Sequence, residues 1–199
     1  MNAPLNLKEL ERKAFRSFYQ DGIWDIFFGL IMLAMYIFTF FNDMEKKAVG
    51  TISLILLEVF AVMFLIYGKK YITVPRLGEV RFGKQRKRRL MYIFLANLLS
   101  LIILAGSLGL KIARPDLLDN DQITTIGLGI WITFLTSIMA YFLDFNRLYI
   151  YALIYGATFA VVLLFDVPIL FLAAALLILL PGIIIFTHFL MTTKPVEGA

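Results

Sequence analysis

The sequence of residues 148–192 is LYIYALIYGATFAVVLLFDVPILFLAAALLILLPGIIIFTHFLMT, which contains one carboxylate, Asp166, one histidine, His188, and no lysine or arginine. A helix needs about 20 apolar residues to cross the hydrocarbon core of a membrane. This stretch is too long for one crossing and long enough for two. Asp166-Val167-Pro168 lies near its middle, and proline cannot continue a helix without distortion. The stretch therefore predicts two spans, 148–166 and 168–192, joined by a tight turn.

Four more windows of the chain are long and apolar enough to cross a membrane: 23–42, 48–67, 90–112 and 123–142. The composition agrees, since 61% of the residues are hydrophobic and only 17% are charged. Soluble domains hold roughly 45–50% apolar and about 25% charged residues. The sequence therefore predicts an all-α, polytopic transmembrane helical bundle. It has six spans, with helices 1–2 within 23–67 and helices 3–6 within 90–192.

Lysine and arginine residues are concentrated on one side of these predicted spans. Four lie in 1–22, nine in 68–89, one in the turn 143–147 and one in 193–199, against four on the opposite side. Short cytoplasmic loops carry such an excess. The count predicts that both termini are cytoplasmic, and a bacterial or archaeal plasma membrane fits a cysteine-free chain with short loops. Topology explains the net charge of +5, so we expect no nucleic-acid partner.

Two segments outside the predicted spans have patterns of their own. Residues 1–22 place apolar side chains at helical spacing between basic ones, which predicts an amphipathic helix lying in the membrane interface; a solvated tail is the alternative. The basic cytoplasmic loop 68–89 contains Tyr71-Ile72-Thr73-Val74 and Glu79-Val80-Arg81-Phe82 around a turn at Pro75–Gly78, a pattern typical of a short β-hairpin.

The basic residues of this loop have two interpretations. The plainer one is an orientation signal for the third span. The sharper one is contact with anionic lipid headgroups on the cytoplasmic side, or with a protein partner or a second copy of the chain. The residues that would make these contacts are Arg76, Arg81, Lys84, Arg86, Lys87, Arg88 and Arg89.

Several polar side chains lie within the predicted spans, where an ionisable group costs several kcal/mol and suggests a functional site. Glu58 is at the middle of the second span and is either a proton- or cation-linked carboxylate or a hydrogen-bonding group that packs two helices together. The other candidates for an inward-facing polar cavity are Asp25, Asn97 and His188. Pro181-Gly182 is expected to bend or loosen the sixth span.

The sequence contains no motif of a known catalytic, phosphate-binding or metal-binding site. A single histidine and no cysteines leave too few ligands for a zinc site, so we expect neither a metal nor another cofactor. The sequence favours a non-enzymatic membrane subunit or regulatory partner. The alternative is a small transporter or channel that uses Glu58 and the polar cavity. An intramembrane enzyme is the third class, and no residue pattern supports it.

Overall fold

The computed structural model describes residues 17–77, 88, 91–92, 95, 98–100 and 121–194. All the regular structure in these residues is helical, and no strand occurs among them. The five long helices of the described residues are α1 (Ile23–Asp43), α2 (Lys47–Leu77), α3 (Asp121–Leu143), α4 (Arg147–Phe165) and α5 (Ile169–Thr192). Each of these helices is long and apolar enough to cross a membrane. In α3, the segment that meets this condition is Thr124–Leu143. For the described residues, the prediction of several helices that could span a membrane is confirmed.

The chain divides into two compact units. Unit 1 comprises Met1–Phe82 and Phe171–Ala199, and unit 2 comprises Gly83–Leu170. In unit 1, α1 and α2 form an antiparallel pair joined by a short turn, in which Glu45 has a φ of 58° and the amide of Lys46 donates to the carbonyl of Phe41 over 2.9 Å. The core of the unit includes the fully buried side chains of Ile23, Met32 and Ile178.

In unit 2, α3 and α4 form a second antiparallel pair. Its turn contains Asp144, whose φ of 52° is in the left-handed region that Asp adopts more readily than most residues. The two helices approach closely at Gly129 and Gly156: a Cβ on Gly129 would lie 2.7 Å from the carbonyl oxygen of Gly156. Small residues at such a crossing let backbones pack directly, as is common between membrane helices.

The predicted spans match the observed helices where the structure describes them. The predicted turn between the last two spans is confirmed, because α4 ends at Phe165, Asp166 has a φ of 52° and α5 begins at Ile169. The predicted third span, 90–112, lies largely outside the described residues. Its residues 98–100 are helical, and the indole N–H of Trp131 on α3 donates to the Ser100 hydroxyl over 3.2 Å. Most of the predicted N-terminal helix, residues 1–16, also lies outside.

The predicted β-hairpin in 68–89 is wrong over its first strand. Residues Lys69–Thr73 are π-helical and Val74–Leu77 are α-helical, so α2 continues without interruption through the expected strand and turn. The amide of Val74 donates to the carbonyl of Lys69, five residues earlier. Pro75 lies in the last segment of this continuous helix, directly after the π-helical residues. Strand propensity is weak compared with extension of an existing helix that has tertiary contacts. Residues 78–87 lie outside the described part.

Candidate functional site

Three buried polar side chains of the described part of unit 1 lie together near the start of α1. Asp21 and Thr73 have no solvent-exposed surface, and Lys69 is 8% exposed. Asp21 immediately precedes the turn into α1, whereas Lys69 and Thr73 are one helical turn apart on α2. We call Asp21, Lys69, Thr73 and the carbonyl group of Phe18 the Asp21 cluster.

Every polar atom of the Asp21 carboxylate has a donor. The Lys69 ammonium lies 2.7 Å from Oδ2 of Asp21 and also donates to the carbonyl oxygen of Phe18. The Thr73 hydroxyl donates to the same Oδ2, and the backbone N–H of Ile23 donates to Oδ1 over 3.1 Å. A buried ion pair is stable only when such additional hydrogen bonds offset the loss of hydration. The cluster meets that condition.

Aromatic rings complete the surroundings of the Lys69 ammonium. Its nitrogen lies 4.3 Å from the ring centroid of Phe18 and 5.8 Å from that of Tyr19. Both distances are within the range of cation–π attraction. The ring of Tyr19 packs in turn against Trp24 on α1, with centroids 5.8 Å apart. The ammonium is therefore enclosed by a carboxylate, a carbonyl oxygen and two rings, all from residues 18–21.

Glycine is required where this segment meets α5. Gly22 has a φ of 84°, and a Cβ there would lie 2.6 Å from the carbonyl oxygen of Gly182 and 2.7 Å from the amide nitrogen of Phe186. A Cβ on Gly182 would in turn lie 2.9 Å from the Cβ of Asp25. The start of α1 and the middle of α5 therefore touch backbone to backbone. The structure thus brings together two predicted candidates, the buried Asp25 and the Pro181-Gly182 pair.

A second polar contact joins the ends of α2 and α5. Arg76 donates from Nε to the carbonyl oxygen of Thr193 over 3.0 Å and from Nη1 to that of Ile72 over 3.1 Å. A cation at a helix C-terminus also interacts favourably with the helix dipole. Arg76 therefore binds backbone carbonyls within unit 1. The ends of α2 and α5 therefore lie at one side of this unit.

The remaining predicted site residues are dispersed. Glu58 is half-buried in the first half of α2, where Leu56, Val59 and Phe60 are 65%, 51% and 58% exposed. His188 is exposed on α5 and lies within an uninterrupted helix that also contains Pro181. Arg88 is exposed. Outside the described residues or side chains lie Asn97, Arg81, Lys84, Arg86, Lys87 and Arg89.

Sequence reasoning did not find the Asp21 cluster. The loop predicted for residues 68–89 includes both Lys69 and Thr73, and no motif in the sequence singles out Asp21. A usable signal was present, since Lys69 and Thr73 are four residues apart and lie on the same face of any helix that continues α2. Their partner is 48 residues away from Lys69 in the sequence, so the pairing itself had no local signature.

The chemistry of the cluster is that of a closed structural contact, since the Asp21 carboxylate is saturated by groups of the chain itself. Among the described residues, no group of three or more His, Cys, Asp or Glu side chains is arranged to hold a metal ion. Five helices of the described part are long and apolar enough to cross a membrane, which fits a multi-spanning integral membrane protein. Comparison of the chain with protein-family models, with curated proteins and with solved structures finds no match that would specify it further.

Proposed function

We propose that the chain is a non-enzymatic subunit or regulatory partner in a membrane assembly, and that Glu58 of α2 contacts a helix of that assembly. The observation that carries the proposal is the position of Glu58. It lies on a helix surface whose apolar side chains are exposed, and no hydrogen bond or ion pair joins its carboxyl group to another described residue.

The depth of Glu58 makes this position costly without a partner. It lies 11 residues after Lys47, the first residue of α2, which corresponds to about 16 Å along the helix axis. The hydrocarbon core is about 30 Å thick, so the carboxyl group is near its centre. An ionisable side chain at that depth costs several kcal/mol in contact with lipid alone. A hydrogen bond to another membrane helix offsets part of this cost, by about 1–2 kcal/mol in model peptides.

Single-cysteine cross-linking tests this contact, because the chain has no native cysteine. Val62 is one turn from Glu58 and 45% exposed, so we expect Val62→Cys to cross-link in native membranes to one defined species. Leu153→Cys on α4, at a site 65% exposed, is the control and should give no defined product. Glu58→Leu should abolish the Val62 cross-link, whereas Glu58→Gln, which retains hydrogen bonding, should preserve it. Equal cross-linking at both cysteines, or an unchanged product in Glu58→Leu, would contradict the proposal.

We also propose six spans with cytoplasmic termini. Because Arg76 hydrogen-bonds to Thr193, α2 and α5 end at the same side of unit 1. A chain that leaves the end of α2 and returns to that side must cross the membrane an even number of times, whereas α3, α4 and α5 supply three crossings. The predicted span 90–112 would supply the fourth. The excess of Lys and Arg beyond α2 supports the assignment of this side to the cytoplasm.

A small transporter is the second candidate, and Asp25 is the observation that favours it. Asp25 is fully buried in the first turn of α1, and its Cβ lies against Gly182, which follows the helix proline Pro181. Buried acids next to helix irregularities bind protons or cations in many transporters. Proteoliposomes would then show a proton or cation flux that Asp25→Asn abolishes. Without any flux in the unmodified protein, the transporter candidate is excluded under the ions tested.

A further inference from the structure

Residues 18–22, which we call the strap, connect three helices of unit 1 at a single point. The Lys69 ammonium of α2 holds the strap through the carbonyl oxygen of Phe18 and the Asp21 carboxylate. Gly22, the next residue, continues directly into α1. The same glycine lies against the backbone of α5 at Gly182. Asp21, which binds α2, and Gly22, which contacts α5, are therefore adjacent in the chain.

The contact between the strap and α5 has no adaptable side chain in it. A Cβ on Gly22 would clash with the carbonyl oxygen of Gly182 and the amide nitrogen of Phe186, both of which are backbone atoms. Interfaces of this kind do not deform gradually, because close-packed atoms transmit a displacement to their neighbours. A shift of the strap away from Lys69 therefore has to displace Gly22 relative to α5.

We propose that the strap is a conformational relay: its attachment to the Lys69 ammonium fixes Gly22 against Gly182, so that release at either contact loosens the other. The group that binds the strap is a primary alkylammonium, the side chain of Lys69. The relay does not depend on Glu58, so failure of the cross-linking experiment leaves it unaffected. Because the strap also joins residues 1–17 to α1, it connects the predicted N-terminal segment to the middle of α5.

Trp24 provides a reporter for the state of the strap. Its ring packs against Tyr19 of the strap and against Phe28 of α1, with centroids 5.8 Å apart in both cases. The indole nitrogen is buried and has no hydrogen-bond acceptor among the described residues. Opening of the strap admits water to this ring. The chain has two tryptophans, so Trp131→Phe leaves Trp24 as the only source of indole fluorescence.

The test perturbs the two contacts separately in the full-length Trp131→Phe protein, in lipid nanodiscs. Lys69→Met releases the strap from α2, and Gly182→Ala adds a Cβ only 2.9 Å from that of Asp25 and 3.0 Å from the amide nitrogen of Ile26. We expect both variants to shift the Trp24 emission to the red and to raise its quenching by acrylamide. The matched controls are Lys70→Met, at an exposed neighbouring lysine, and Gly127→Ala, where a Cβ meets nothing within 4 Å. Both controls should leave the emission unchanged.

Coupling is measured with the double variant Lys69→Met/Gly182→Ala. If one relay joins the two contacts, the loss of midpoint temperature in the double variant is smaller than the sum of the two single losses. Additive losses, or an unchanged Trp24 signal in Gly182→Ala, overturn the proposal. If Lys69→Met fails to fold, Thr73→Val is measured in its place, because it removes only the hydroxyl donor to Asp21. It should give a smaller red shift of the same sign, and an unchanged emission in this variant also overturns the relay.

Discussion

Unit 1 and unit 2 each contain an antiparallel pair of long apolar helices, but different interactions stabilise the two units. In unit 2, α3 and α4 pack through Gly129 and Gly156, and the Thr133 hydroxyl beside them donates to the carbonyl oxygen of Gly129 over 2.9 Å. In unit 1, α1 and α2 are joined at one end by a buried ion pair between Asp21 and Lys69. The helix pair of unit 2 is joined by close packing of small residues, whereas unit 1 combines close packing at Gly22 and Gly182 with a buried polar attachment.

This difference predicts where each unit tolerates substitution. Packing through small residues is sensitive to added volume and insensitive to charge, because its free energy comes from contact between backbones. A buried ion pair is sensitive to the loss of either partner, because the remaining charge stays in a medium of low polarity. Matched substitutions in the two units therefore separate the two modes of stabilisation.

The largest effect is expected for Lys69→Met. Removal of one member of a buried ion pair typically costs about 3–5 kcal/mol, because the other charge remains buried. The double variant Asp21→Leu/Lys69→Met removes both charges and should recover most of the loss. Denaturant titration of the purified protein in detergent, followed by circular dichroism, measures the free energy of unfolding. A double variant no more stable than Lys69→Met would show that the strap geometry, and not the unpaired carboxylate, determines the cost.

Gly156→Ala in unit 2 should have the next largest effect. The added Cβ would lie 1.8 Å from the Thr133 hydroxyl oxygen and 2.4 Å from the carbonyl oxygen of Gly129, so the helices must separate. Overpacking of this kind costs about 1–3 kcal/mol. The control is Gly127→Ala on α3, which meets no atom within 4 Å. It should be neutral or stabilising by up to about 1 kcal/mol, because alanine favours helix formation. Equal losses for both variants in thermal unfolding would contradict direct packing at Gly156.

The same contrast explains what the sequence predicted. Long apolar windows identify the helices, because this signal is local. The attachment in unit 1 is not local: Asp21 and Lys69 are 48 residues apart, and Tyr71-Ile72-Thr73-Val74 has the composition of a strand. Only the tertiary contacts of Lys69 and Thr73 favour continuation of the helix there. Asp25 and Pro181-Gly182 were recognised as unusual, but their proximity required the fold.

Arg76→Gln should have a moderate effect. The guanidinium group binds the carbonyl oxygens of Thr193 and Ile72 and is half-buried, so its loss removes a cation from the C-terminal end of α5. A charge near a helix end contributes about 0.3–1 kcal/mol when it is partly exposed. We expect a decrease in unfolding free energy of that size, accompanied by faster hydrogen exchange confined to the last turn of α5. Unchanged exchange there would show that the carbonyl contact of Arg76 does not stabilise this turn.

The smallest change in unfolding free energy is expected at Lys70, next to Lys69, where the largest change is expected. Lys70 adjoins Lys69 on α2 but is exposed, and its ammonium lies 5.2 Å from the ring centroid of Tyr71. A cation–π contact at an exposed site is worth only about 0.5–1 kcal/mol, and water replaces much of it. We therefore expect Lys70→Gln to change the unfolding free energy in detergent by no more than about 0.5 kcal/mol, as for most surface substitutions.

Unfolding in lipid vesicles distinguishes Lys70 from Lys69 more sharply than unfolding in detergent. If Lys70 lies at headgroup depth, added anionic lipid should stabilise the unmodified protein more than Lys70→Gln, by about 1 kcal/mol. The same lipid should not distinguish Lys69→Met from the unmodified protein, because the Lys69 ammonium is already enclosed by the strap.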